Sequence, residues 1–377
     1  MKRLLPRLPL ALLAFASLDL VACVSDDNNP PLGTPIDDSG TPGDSGVDAT
    51  LGDGGDAGAS AGEAGPDSGS DANGPVATCA DAGTGRCLVI LATNQGNPEG
   101  LVLHDGYLYW IEEGLPQHIH RIPLTGGAAQ DLGAAQVASS TLAVDNTSMY
   151  WTDQYHGTIY AAPNTGVPEG GAPTVLAAVD GGGTADMLVD PSRVYWTDFN
   201  GGKVYAAPIG GITDGGAPTV LASGQTEPEF LATDDTNLYW SAYGASAVME
   251  LSLGDGGAPF PVASGVNGPT FVQVTAGTVY FASGTSDDIY SVPATGGTPQ
   301  IFVAAGPTST DSFVYDGATV FWATSGNPGG EILSALPGGN PTPLALGMTS
   351  PGNLTFDQNN IYWTNFAYGA VFEMAKP

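Results

Sequence analysis

Seven times along this chain an aliphatic residue, an aromatic residue and a Trp or Phe stand in a row: Leu108-Tyr109-Trp110, Met149-Tyr150-Trp151, Val194-Tyr195-Trp196, Leu238-Tyr239-Trp240, Val279-Tyr280-Phe281, Val320-Phe321-Trp322 and Ile361-Tyr362-Trp363. The middle residues follow one another at steps of 41, 45, 44, 41, 41 and 41. Such a period is too long for a coiled coil or a hexapeptide array. It fits a unit of four short strands, the repeat of a β-propeller blade. The predicted fold is therefore all-β, a seven-bladed β-propeller of four-stranded blades.

The internal pattern of a repeat agrees. In the third, Thr184 to Asp190, Arg193 to Thr197, Lys203 to Pro208 and Ala217 to Ala222 read as successive strands. Turn residues separate them at Asp190-Pro191, Asn200-Gly201-Gly202 and Thr213-Asp214-Gly215-Gly216. No segment carries a helical period. The seventh repeat stops after its third strand, Ala370 to Met374, whereas Cys87 to Gln95, ahead of the first repeat, matches the fourth strand Pro218 to Gln225. The N-terminal strand is expected to complete the last blade and close the ring, which removes exposed sheet edges. Because a strand alternates faces, Tyr150 and Trp151 must point into the two different layers between neighbouring blades. These rings read as core, not as a ligand-stacking set.

Upstream of the repeats the composition changes twice. Met1-Lys2-Arg3 with Arg7, then an apolar stretch from Leu8 to Leu20 broken by Pro9 and Asp19, form a segment too short to anchor across about 30 Å of hydrocarbon. Residues 1–22 thus read as an export signal. Leu20-Val21-Ala22-Cys23 resembles the lipobox of bacterial lipoproteins, which implies cleavage before Cys23 and acylation of that cysteine. Val24 at the next position implies the outer membrane in a two-membrane host; an ordinary signal peptide with an incidental cysteine is the alternative. Residues 23–78 are dominated by Gly, Asp, Ser, Ala and Pro and contain no aromatic residue, Lys or Arg. A stretch with so little to bury is expected to be a disordered acidic tether. Gly43-Asp44-Ser45-Gly46 looks like a trypsin-type nucleophile segment, but nothing else of that fold accompanies it. The Asp/Gly runs likewise keep no calcium-loop spacing. The propeller is assigned to residues 79–377. Cys79 and Cys87 flank a seven-residue loop at its start, and an exported location permits a disulfide that would brace the closing strand. A metal pair or two free thiols are the alternatives, with no His or third Cys close by in sequence.

With 8 basic and 39 acidic residues the chain carries a formal charge of −31. Beyond the signal only Arg86, Arg121, Arg193, Lys203 and Lys376 are basic. Phosphate neutralisation needs clustered Lys and Arg, so nucleic acid is excluded as a partner, and contact with membrane is expected through the lipid alone.

Tyr150-Trp151-Thr152-Asp153 and Tyr195-Trp196-Thr197-Asp198 copy the motif of the YWTD propellers of low-density lipoprotein receptor-type proteins, and Tyr362-Trp363-Thr364-Asn365 is one step away. The flanks are also similar: Leu142-Ala143-Val144-Asp145 upstream, and Ile159 to Gly166 downstream. This resemblance spans roughly Arg86 to Pro377. It implies a rigid binding platform rather than an enzyme. Thr and Asp are lost in repeats one, four, five and six, and the receptor propellers have six blades where seven motifs are counted here.

The loops from second to third strand, and from fourth to the next first strand, gather by propeller convention on one face around the central channel. On that face stand Glu112, Glu113, His118, Asp153, Tyr155, His156, Asp198, Phe199, Tyr243, Phe366 and Tyr368, a mixture of aromatics and acids suited to an interface with a protein or glycan ligand. All four histidines, His104, His118, His120 and His156, fall in the first two repeats. With Glu112, Glu113 and Asp153 they offer an alternative general-acid/base or metal-assisted centre, on a frame similar in gross build to the seven-bladed streptogramin-cleaving lyases. Against that reading, His120 aligns with Tyr160, Tyr205 and Tyr290, a packing slot. There is no Gly-x-Ser-x-Gly elbow, His-Glu-x-x-His or phosphate-cradling loop. The expected protein is a monomeric, lipid-anchored, extracytoplasmic recognition domain of the cell envelope that needs no cofactor. A propeller lyase or hydrolase is the runner-up, and an architectural part of an envelope complex the third possibility.

Overall fold

The computed structural model describes residues 76–78, 87–114, 116–135, 138–167, 171–179, 183–212, 216–254, 256–306, 309–325 and 329–377. Within them, blades 1 to 6 are each a meander of four antiparallel strands. Blade 3 is representative, with strands Thr184–Val189, Arg193–Asp198, Lys203–Pro208 and Thr219–Ser223. The first strands of neighbouring blades contact one another from blade to blade, so they line the centre and the fourth strands form the rim. The sequence-predicted strands of this repeat recur within two residues at either end.

Every blade turns from first to second strand on a short polar loop. Asp190 shows why: its Oδ1 accepts the backbone N–H groups of Ser192 and Arg193, and its Oδ2 accepts the Tyr195 hydroxyl at 2.7 Å. Asp145 with Tyr150, Asp234 with Tyr239 and Asp357 with Tyr362 repeat the arrangement. One carboxylate thus closes the turn and satisfies the only polar atom of a ring that is otherwise core. Burial opposes the charge of these acids, but the donors outweigh it: all four carboxyls are held below the usual range, Asp234 at about 2. Burial and the adjacent carboxylate push Tyr150 up to about 12.

The core consists of the layers between blades. Tyr109 packs with Trp151, Tyr150 with Trp196, Tyr195 with Trp240, Tyr239 with Phe281, Tyr280 with Trp322, Phe321 with Trp363, and Tyr362 with Trp110. The last pair joins blade 7 to blade 1, so the ring is closed. The adjacent rings of each repeat do face opposite layers, as strand alternation requires.

Closure also runs through the backbone. Leu88–Ala92 is the fourth strand of blade 7 and pairs antiparallel with Ala370–Ala375, Leu88 opposite Met374 and Ile90 opposite Phe372. Its Leu88 enters the layer with blade 6 and its Leu91 the layer with blade 1. A further strand, Val76–Thr78, adds to its outer edge with Val76 opposite Ile90. Composition counted these three residues in the tether, whereas the structure pairs them as a strand. The difference has a local cause: Val76-Ala77-Thr78 breaks the Gly/Asp pattern with strand-forming residues beside an open edge. The export signal, Cys23, most of the tether and Cys79 lie outside the described residues.

Candidate functional site

The loops expected to share a face do so. The fourth-to-first connections bond the second-to-third turns through Gln95 N to Gly369 O, Val179 N to Gly157 O, Gln225 N to Gly202 O and Gly265 N to Ser246 O, at 2.9 to 3.1 Å. Gly157, Gly202, Ser246, Asp287 and Gly369 occupy the same turn position, all with positive φ. At Gly369 a Cβ would collide with the Gln95 carbonyl, so glycine is required by close approach there.

Asp153 and Asp198 anchor these turns. Asp153 Oδ1 accepts the N–H groups of Tyr155 and His156, and its Oδ2 lies 2.7 Å from His156 Nδ1. Asp198 Oδ1 accepts the Gly201 N–H. Both acids are buried, so they position the loop rather than face outward. In blade 7, Asn365 Oδ1 accepts the Tyr368 N–H in the same way. What the turns present is exposed: Tyr155 at 55 % and Tyr368 at 49 %, with the His156 side chain at 78 %. His156 and Tyr368 occupy equivalent turn positions in blades 2 and 7.

The other expected contacts divide into two groups. Tyr243 opens a one-turn 3-10 helix, Tyr243–Ala245, and its ring lies against Gly268. Phe199 follows Asp198, with its N–H on the Gly183 carbonyl. Phe366 lines a hollow of about 250 Å³ together with Glu99, Asp311, Ser325 and Asn353. Glu112 and Glu113, by contrast, are committed to blade 1: Glu112 Oε1 accepts the Gly96 N–H and Glu113 Oε2 accepts Asn97 Nδ2.

The four histidines do not gather in one cluster, although His118 and His120 stack on each other at 6.2 Å and 28°. His104 sits at the opposite end of its strand, 3.1 Å from Asn146 Oδ1. His118 pairs with Asp131 at 2.8 Å. His120 stacks on Trp110 at 5.7 Å and 19°, as Tyr160 stacks on Trp151 at 5.9 Å and 17° and Tyr205 on Trp196 at 5.3 Å and 18°. It occupies the aromatic slot of its blade, with Nε2 3.1 Å from Glu112 Oε2 but not aligned to bond it. Among the described residues no group of three or more His, Cys, Asp or Glu is arranged to hold a metal ion.

Three acids on the innermost strands escaped sequence reasoning. Asp186 bridges two blades: its Oδ1 accepts the Met187 N–H and its Oδ2 the Leu231 N–H of blade 4. Burial raises its carboxyl to about 6 against those donors. Burial, then the charges of Asp186 and Glu227, raise Glu229 to about 7. Burial likewise raises Asp311, whose Oδ1 accepts the Ser309 hydroxyl. The threonine of the repeated motif also has a task here: Thr197 Oγ1 accepts the Asp186 N–H and donates to the Glu229 carbonyl, tying two first strands together.

No protein-family profile and no curated sequence matches the chain. Solved structures do. Virginiamycin B lyase from Staphylococcus aureus superposes with a TM-score of 0.62 at 13 % identity over 77 % of this chain and 98 % of that one. The computationally designed Ika8 protein reaches 0.55 at 12 % identity over 76 % and 98 %, and BamB from Moraxella catarrhalis 0.51 at 16 % identity over 74 % and 82 %. At such identities the likeness establishes the propeller fold, which one enzyme and one designed protein share; it assigns no activity.

Proposed function

We propose that this chain is a non-catalytic recognition propeller that binds a protein or glycan on the face formed by its second-to-third turns, within the cell envelope. The observation that carries the reading is the pair of exposed side chains, His156 and Tyr368, at equivalent turn positions locked by Asp153 and Asn365, with Tyr155 beside them. Aromatic side chains already ordered in the free protein lose little entropy on binding, and in acidic surroundings they suit a polar or cationic ligand. The YWTD resemblance supports the same role, and Phe199, Tyr243 and Phe366 continue the face around the ring, with Asp198 holding the turn beneath it. Retention by lipid at Cys23 completes the proposal. The test is a comparison of wild type with the Tyr155→Ala/Tyr368→Ala variant on envelope protein and glycan fractions. A ligand held stoichiometrically by wild type and lost by the variant is expected; equal retention rejects this face. For the anchor, Cys23→Ala is expected to lose incorporation of a fatty-acid probe.

One geometric feature favours a second reading. Buried Asp153 fixes the His156 imidazole through Nδ1, and that side chain is largely exposed, the arrangement of a general base. If the protein is a lyase or hydrolase of a sugar, peptide or lactone, His156→Ala abolishes turnover while Tyr155→Ala leaves it measurable. Loss of ligand retention in both variants without any turnover in wild type rejects this enzyme.

A further inference from the structure

The loop that leads into the first strand of a blade carries a side chain matched to the large ring of that blade. Pro98, Pro228, Pro269 and Pro351 open equivalent strands, paired with Glu112, Ala242, Ser283 and Asn365. Three positions before each proline stand Gln95, Gln225, Val266 and Met348. Gln95 Oε1 accepts the Trp110 Nε1 N–H at 3.0 Å, and Gln225 Oε1 accepts that of Trp240 at 3.1 Å. In blade 5 the ring is Phe281, which has no N–H, and the loop carries aliphatic Val266 in the same layer. A donor is thus met by an acceptor, and an apolar ring by an apolar side chain.

Blade 7 breaks the match. Trp363 is fully buried, its Nε1 has no hydrogen-bond partner among the described residues, and Met348 stands where the glutamine would. Trp196 and Trp322 also lack an acceptor among those residues, but Gly181 and Gly306 hold their loop positions and bring no side chain that could become one. In methionine, Sδ takes the place of the glutamine Cδ, so an oxygen added to Sδ takes the place of Oε1. A sulfoxide is polar where the thioether is only a weak acceptor, and it stands in closely for the glutamine of the other blades. The sulfur already lies beside a polar group: Asn365, whose Oδ1 holds the Tyr368 turn, donates from Nδ2 to Met348 Sδ at 3.5 Å. Met348 is itself 7 % exposed, and Leu346, Gly347 and Thr349 around it are exposed, which leaves a short path for an oxidant barely larger than water.

We propose that Met348 is a modification site, at which hydrogen peroxide converts the thioether to a sulfoxide whose oxygen accepts the Trp363 Nε1 N–H, so that oxidation tightens the ring. A sulfur lone pair attacks one peroxide oxygen, and the O–O bond breaks as the S–O bond forms. The sulfur loses two electrons, and the second oxygen leaves as water with both protons. Oxidation of a core methionine ordinarily loosens a fold, because the new polar oxygen finds no donor there. Among the described methionines Met249 is the most exposed, so the experiment uses the full chain carrying Met249→Leu, treated with hydrogen peroxide while folded. Peptide mass spectrometry is expected to find an added oxygen on Met348, with the melting temperature raised by about 2–4 °C. Trp363→Phe, the ring that blade 5 already uses, removes the donor and should abolish the rise. Met348→Gln should reproduce the rise without peroxide. An unmodified Met348, a fall in melting temperature on its oxidation, an equal rise in Trp363→Phe, or no rise in Met348→Gln overturns the proposal.

Discussion

At the scale of single residues, the device that recurs most often is a carboxylate five positions before a tyrosine. Asp190 with Tyr195 illustrates it, and the spacing is visible in the sequence once the strands are aligned, because both ends fall on fixed positions of a hairpin. What spacing does not reveal is that the acid is held ionised. Tyr195→Phe removes a charge-assisted bond inside the fold and is expected to lower unfolding free energy by about 1–3 kcal/mol in urea denaturation. Blade 6 has Phe321 in place of the tyrosine, and there Asp316 Oδ2 pairs with Lys376 Nζ at 2.7 Å. Lys376→Met should therefore destabilise wild type more than it destabilises Phe321→Tyr, whose new hydroxyl takes over the acceptor. Additive effects in that double-mutant cycle would disprove the substitution of roles. The same clamps set the acid limb of stability. A carboxyl depressed to about 2, as in Asp234, stabilises the fold fully above the unfolded value near 4 and loses that contribution as pH falls through about 2. Asp234→Asn is expected to flatten the loss of stability across that window.

At the scale of elements, the closing strand is the sharpest dependence. Leu91 is buried in the layer that joins blade 7 to blade 1. Leu91→Ala should cost about 2–5 kcal/mol, as for other buried leucines, and lower the melting temperature correspondingly. A melting temperature equal to wild type would mean that the strand is dispensable for closure. This strand was legible in advance because Cys87 to Gln95 repeats the fourth-strand pattern and the seventh repeat lacks one. The site loops were legible in location but not in orientation. Asp153 and Asp198 read as ligand contacts from their place after the aromatic pair, yet their carboxylates fold back onto the turn N–H groups. Tyr155 and His156 point outward for the same reason, and only the turn geometry separates the two sets.

At the scale of the whole molecule, the ring brings together groups that sequence keeps far apart. Asp186 and Glu229 lie on first strands of different blades, and the Asp186 charge raises the cost of charging Glu229. Their folded-state values, about 6 and about 7, lie above those of an unfolded chain, so their contribution to stability is fully present below about 4 and is lost as pH rises through 6 to 7. Glu229→Gln is expected to raise the melting temperature at pH 8 and leave it unchanged at pH 4. A rise of equal size at both would point to packing instead. By itself the sequence determined the number of blades, the strand order and the alternation of rings between layers. Each of these follows from a local period and from side chains alternating across a strand. Only the tertiary structure decided which acids are buried or turned inward, and that Asp186 and Glu229 stand close enough across two blades for the charge of one to act on the other. Those outcomes depend on distances between neighbouring blades, which no period along the chain encodes.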